Sequence, residues 1–174
     1  MMMSEKAKKV GRKSQAERRK ALVEELWGDE LEEIPIWTRH HNDGYATIPR
    51  TLPHVSRILD ELSGSGSPLS QVYTALWCRV SDEGFIEIRD KDSLAYESGF
   101  SGQRAVTTWS GRMKKLQELG FISCKSGASG EYQYVLIVHP LVVIKKIYSE
   151  GKRVKDQRYH ALAARVIEVG ASWE

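Results

Sequence analysis

The chain has 174 residues, 41% apolar and 28% charged, the balance of one globular domain with short appendages. Its longest apolar run, "YVLIV" at 134–138, is too short for a membrane span, and no apolar segment follows the first charges as a secretory signal would need. Two cysteines make no disulfide framework or cysteine metal site, so a reduced cytoplasmic setting is the expectation.

Net charge is +3, but it is unevenly spread. The first twenty residues carry eight bases and two acids, and read as a mobile basic arm that either solubilises the chain or reaches a polyanion. The next thirteen, "ALVEELWGDELEE" at 21–33, carry six acids and no base. Leu22, Val23, Leu26 and Trp27 have helical spacing there, which predicts a short acidic helix ending near Gly28 and able to hold a protein partner. Trp27 would anchor that partner or pack on its own domain.

Residues 34–66 read as a hairpin and a helix packing on the core. "NDG" at 42–44 is a tight-turn signal between Ile34, Ile36, Trp37 and Tyr45, Thr47, Ile48, with Trp37 expected in the core. Pro53 then suits the first turn of a helix with Val55, Ile58, Leu59 and Leu62 on one stripe, stopped by Gly64 and Gly66.

A second helix carries Leu69, Val72, Tyr73, Leu76, Trp77 and Val80 on its apolar face. Gly84 breaks it, and "FIEI" is a short strand. Asp92 or Ser93 is expected to cap a short helix that Gly99 stops. Ser101 is expected to cap the long helix that ends at Gly120. "FISCKSGASGEYQYVLIV" then gives two strands around a Gly/Ser tip, "KSGASG". In residues 141–174, helices are predicted from Pro140 through Tyr148 and from Asp156 to Val169. The last has Tyr159, Leu162, Ala163, Val166 and Ile167 on one side.

Several chemistries find no support. Cys78 and Cys124 read as small buried hydrophobes. His40, His41, His54, His139 and His160 have no metal-ligand spacing, and no Gly-rich phosphate loop follows a strand. Neither a metal, a cofactor nor an enzymatic activity is expected.

The order from Pro68 to Pro140 is helix, short strand, short helix, long helix, strand, Gly/Ser loop, strand, with "LQELGFISCKSGASGEYQYVL" running a helix straight into a hairpin. This pattern resembles a winged-helix domain, spanning 67–140 of an α+β, mostly helical chain. "TIPRTLP…LWCRVSDEGFIEI…SGFSGQRAVTTW" is also similar to winged-helix proteins of bacterial plasmids and mobile elements. The resemblance implies sequence-specific binding of double-stranded DNA, in transcriptional regulation or in replication and maintenance of such an element. It also implies a homodimer.

On the long helix, Val106, Trp109, Met113 and Leu116 cluster on one face and Arg104, Thr107, Thr108, Gly111, Arg112 and Lys115 on the other. In helix-turn-helix geometry the outward face enters the major groove. Arg104, Thr107, Thr108, Arg112 and Lys115 would then contact DNA directly, with Gln103 at the helix start, while Lys114, Lys125 and the basic arm would meet phosphates. The Tyr159, Leu162 and Val166 stripe is the expected dimer interface, with packing on the helix of Val142 and Ile147 as its alternative. The competing function is a winged helix that docks a protein without binding DNA.

Overall fold

A computed structural model of the chain describes residues 5–81, 83–151 and 153–174. It divides into two units, Met1–Tyr45 and Ala46–Glu174. No helix among the described residues is long and apolar enough to cross a membrane.

The first unit is built on one helix, α1 (Glu5–Trp27), followed by a 3-10 helix, Gly28–Glu32. The expected boundary at residue 20 is absent, because a single helix runs across it. The described part of the arm is therefore helical rather than extended coil. Residues 1–4, and the side chains of 5–10 and 12, lie outside the described residues. The basic composition masked a strong helical propensity: the segment is rich in Ala, Lys, Arg and Glu and has no Pro. The helix ends where Gly28 turns to φ +46°.

The hairpin expected over 34–48 does not form; no strand is present there. Its apolar residues have no layer to cover them, and an isolated two-stranded hairpin is marginal in water. Trp37 is 60% exposed, not a core residue, and meets Tyr45 edge-on at 6.0 Å. The "NDG" stretch instead follows a local turn, in which Asn42 Nδ2 donates to the Thr38 carbonyl at 2.8 Å.

The second unit is α+β. Its order is α2 (Leu52–Ser63), α3 (Ser70–Arg79), β1 (Phe85–Glu87), α4 (Lys91–Glu97), α5 (Ala105–Glu118), β2 (Ile122–Gly127), β3 (Gly130–Ile137), α6 (Pro140–Ser149) and α7 (Gln157–Val169). The strands form an antiparallel sheet in the order β1-β3-β2. Phe85 pairs with Leu136 and Glu87 with Tyr134 on one side, and Lys125 pairs with Tyr134 on the other.

The core lies between the sheet and the helices. Val55, Ile58, Leu59, Leu69, Val72, Tyr73, Leu76, Trp109, Met113, Leu116 and Phe121 have no exposed surface. Each such large side chain contributes roughly 1.5–3 kcal/mol by leaving water. Asp60 on α2 closes the turn into α3: its Oδ1 accepts from Leu69 N at 2.7 Å and Ser70 N at 2.8 Å, satisfying donors that the helix leaves open.

Two expected caps are displaced. Asp90, not Asp92 or Ser93, caps α4, with its Oδ1 accepting from Ser93 N at 3.0 Å. Ser101 does not cap α5. Gly102 takes φ +79°, and a turn from its carbonyl to Ala105 N, 3.1 Å, delays the helix to Ala105. Cys78 is exposed rather than buried. Cys124 is half-buried, and burial pushes its thiol up to about 11.

The expected dimer stripe is occupied within the chain. Leu162 and Val166 are 0% and 2% exposed and belong to the core, where α7 packs on α2. Tyr159 is half-buried between Tyr148 of α6, 4.8 Å away, and Trp173, stacked at 5.7 Å. The partners of the stripe are α2, Tyr148 of α6 and the C-terminal Trp173, all in the same chain. Leu162 and Val166 are therefore core residues, and Tyr159 is packed within the chain, instead of forming a free stripe for a second copy. The basic stretch before α7 is partly neutralised: Arg153 and Arg158 both pair with Glu61, at 3.7 and 3.1 Å.

Candidate nucleic-acid interface

Helix α5 has three faces. Trp109, Met113 and Leu116 form the inner one and are fully buried. Arg104, Thr107, Gly111 and Lys114 recur at steps of three and four residues, and all are exposed. Thr108, Arg112 and Lys115 lie between those faces and are half-buried. The α5 residues singled out from sequence therefore differ in exposure, with Thr108, Arg112 and Lys115 more covered than the rest. Gln103 and Arg104 stand in the turn ahead of the helix, exposed, rather than in its first turn.

Arg112 has a structural attachment. Its Nη2 donates to the Gly66 carbonyl at 3.4 Å, its guanidinium lies 6.0 Å from the Phe100 ring centroid, and its Nε is turned away from solvent. It ties α5 to the turn between α2 and α3. Lys115 reaches Glu118 at 3.9 Å across solvent, a weak pair. Among the described residues, neither Arg104 nor Lys114 has an ion-pair partner. No acid occurs between Ser98 and Gln117, so the outward line itself carries no negative side chain.

Gly111 sits on that face with helical backbone and nothing within 4 Å of where a Cβ would stand. No packing demand explains a residue that costs a helix roughly 0.8–1 kcal/mol relative to Ala.

The β2–β3 hairpin stands beside this helix, joined to it by Trp109 against Tyr132, edge-on at 5.8 Å. The expected six-residue tip is mostly strand: β2 runs to Gly127 and β3 begins at Gly130, leaving Ala128 and Ser129 as the turn. A register shift between Lys125 and Gly127 bends the hairpin. Lys125 is exposed on β2, not at the tip.

Sequence reasoning missed two residues here. Gln133 is 6% exposed and clamps the turn, with Oε1 accepting from Ser129 N at 2.7 Å and Nε2 donating to Tyr134 Oη at 3.1 Å. A side chain on Gly127 would collide with its amide. Lys91, in the first turn of α4, places its ammonium against Gly130, where a Cβ would collide with it. The Lys91 contact is tertiary, while Gln133 bonds within its own hairpin, to Ser129 and Tyr134. Glu87 and Arg89 pair at 2.9 Å beside the hairpin, and the guanidinium holds the Glu87 carboxyl below the usual range.

No metal-binding group of three or more His, Cys, Asp or Glu occurs among the described residues. The chain matches no family model, no curated protein and no solved structure.

Proposed function

We propose that residues 67–140 act as a winged-helix domain that binds double-stranded DNA, with α5 as the reading helix and the β2–β3 hairpin as the wing. The observation that carries this is the outward line of Arg104, Thr107, Gly111 and Lys114. It is exposed, free of acids, and braced from behind by Trp109, Met113 and Leu116. An α-helix of this width fits the major groove, where Arg bonds guanine bidentately and Thr meets a phosphate or a thymine methyl. Gln103 and Arg104 precede the first turn, where base contacts from a recognition helix concentrate. Lys114, Lys125 and Lys91 supply phosphate contacts on either side. Thr108 and Lys115 flank the reading line. A cytoplasmic regulator, or a replication or maintenance factor of a mobile element, fits this reading, with no cofactor and no catalysis.

A second reading, docking of a protein, is favoured by a different surface. Phe85 and Tyr134 stack at 6.4 Å, and Leu136 beside them is 50% exposed, so the outer sheet face carries an apolar patch. The experiment that separates the two is capture of genomic fragments on the purified chain followed by salt-dependent gel shift. Enrichment of a common sequence supports DNA reading. Indifference to every fragment at low salt supports protein docking.

A further inference from the structure

We propose that a cavity in the second unit binds a free apolar α-amino acid, its carboxylate held at the starts of α2 and α6 and its ammonium at Glu83.

The cavity measures about 350 Å³. Ligand pockets run from about 300 to 1,000 Å³, so this one suits a small molecule. It opens where the start of α2, the end of α3, the turn into β1, the β3–α6 junction and the residues after α7 meet. Pro49, Trp77, Ile137, Val138, Pro140 and Leu141 give it an apolar wall. Backbone bonds hold that wall in place. Ile137 N donates to the Gly84 carbonyl at 2.9 Å, and Val138 N to the Phe121 carbonyl at 3.0 Å. The space is therefore preformed.

Two donors at this wall have no partner. Thr51 lines the cavity and is 2% exposed. It stands at the N-cap of α2, yet its side chain makes no cap, and its hydroxyl has no hydrogen-bond partner among the described residues. The buried polar side chains of Ser98 and Gln133, by contrast, are bonded. Leu141 also lines the cavity and is 3% exposed. It lies in the first turn of α6, where an N–H finds no acceptor inside the helix. Val142 N is taken by His139 Nδ1 at 3.4 Å and Val143 N by the His139 carbonyl at 3.2 Å. Pro140 has no N–H, so the Leu141 N–H is the free donor of this helix start.

The ligand follows from these groups. Both donors sit at helix starts, where the backbone dipoles favour negative charge. A carboxylate carries that charge and accepts two bonds at once. Water can take the donors but gains nothing from the apolar wall. Among the described lining residues Glu83 is the one acid, and it is exposed. An acid there repels a simple carboxylate and attracts a ligand that also carries a cation, which selects a zwitterion. The wall selects an apolar side chain.

The test is isothermal titration calorimetry on the full chain without DNA, so its outcome is independent of the DNA-binding reading. The probes are L-leucine and L-phenylalanine. For the tighter of the two, the matching carboxylic acid without the ammonium and the matching amine without the carboxylate are titrated as well. At least one amino acid is expected to saturate a single site per chain, with both analogues roughly tenfold weaker or more. Thr51→Val keeps the shape and removes the hydroxyl, and should weaken binding roughly tenfold, whereas Thr51→Ser should bind like the wild type. Ala171 lines the cavity and is exposed, so Ala171→Trp fills the space without entering the core and should abolish binding. Circular dichroism melts check that each variant is folded. Absence of saturable binding by either amino acid overturns the proposal. So does binding that Ala171→Trp or Thr51→Val leaves unchanged, which places the ligand elsewhere, and so does an analogue that binds as tightly as the amino acid.

Discussion

The indole ring of Trp109 meets the phenol ring of Tyr132 edge-on, with centroids 5.8 Å apart. This contact joins the middle of α5 to β3 near the turn end of the hairpin and so sets the distance between the two surfaces proposed to touch DNA. Edge-to-face aromatic pairs add about 0.5–1.5 kcal/mol beyond the area they bury. Trp109→Ala should therefore cost about 3–5 kcal/mol of stability, as large core truncations do. Tyr132→Leu should cost less, and should loosen the hairpin while leaving α5 folded. Urea denaturation gives the first number, and amide exchange across 122–137 reads the second. Equal protection of the hairpin in Tyr132→Leu and wild type would deny the coupling.

Arg104, at the N-cap of α5, and Arg112, within the helix, are expected to behave differently. Arg104→Ala should leave stability within about 0.5 kcal/mol, as surface substitutions do, and lose roughly 1–3 kcal/mol of specific binding. Arg112→Ala should lose about 1 kcal/mol of stability through its bond to Gly66 and its contact with Phe100. Its effect on binding should follow only from that loosening. Paired thermal melts and titrations separate them, and identical behaviour of the two variants would contradict the division of faces.

The difference between those arginines marks how far the sequence could be read. The faces of α3 and α5 were legible because apolar and polar residues alternate with the helical period and glycines stand at their ends. The β2–β3 pair was legible from its strand residues around a Gly/Ser turn. The attachments of Arg112 and Lys91 were not, because each partner is distant in sequence and on another element, and that of Gln133 was not, because nothing in the residue order says that its amide folds back onto Ser129 N. The false hairpin at 34–48 shows the converse. Alternation and an Asp-Gly turn are local signals, and nothing in them says whether another layer will cover the face. For α1, segregated charge suggested a tail and concealed a continuous helix.

Gly111 offers a test in which stability and function move in opposite directions. Its Cβ position is open and its backbone is helical, so Gly111→Ala should raise stability by roughly 0.8–1 kcal/mol. If DNA approaches the backbone there, the same change weakens binding. Chemical denaturation and a binding titration of one variant give both signs. A variant that is more stable and binds equally well would remove Gly111 from the contact surface.

The cap of α7 predicts a pH dependence. Asp156 accepts from Tyr159 N and Arg158 N, each at 3.1 Å, and the backbone bond to Tyr159 is the main cause of its lowered carboxyl pKa. A depressed folded pKa gives stability that is present above the unfolded value of about 3.9 and is lost as pH falls through the folded one. Asp156→Asn keeps the cap geometry without the charge. It should be less stable than wild type by about 0.3–1 kcal/mol at neutral pH, and the gap should close in acid. Denaturation midpoints at several pH values check this, and a gap that persists unchanged into strong acid would contradict it.

The central claim is that the free face of α5 binds duplex DNA, and a salt titration tests it most directly. Affinity for a captured duplex is measured at several salt concentrations for the wild-type chain and for Lys114→Ala. The wild type should bind with a steep negative log-log slope. Lys114→Ala should weaken binding to all duplexes alike and make the slope shallower by about 1, the signature of one lost phosphate contact. Absence of binding to any duplex at low salt, or an unchanged affinity and slope in Lys114→Ala, would contradict the account.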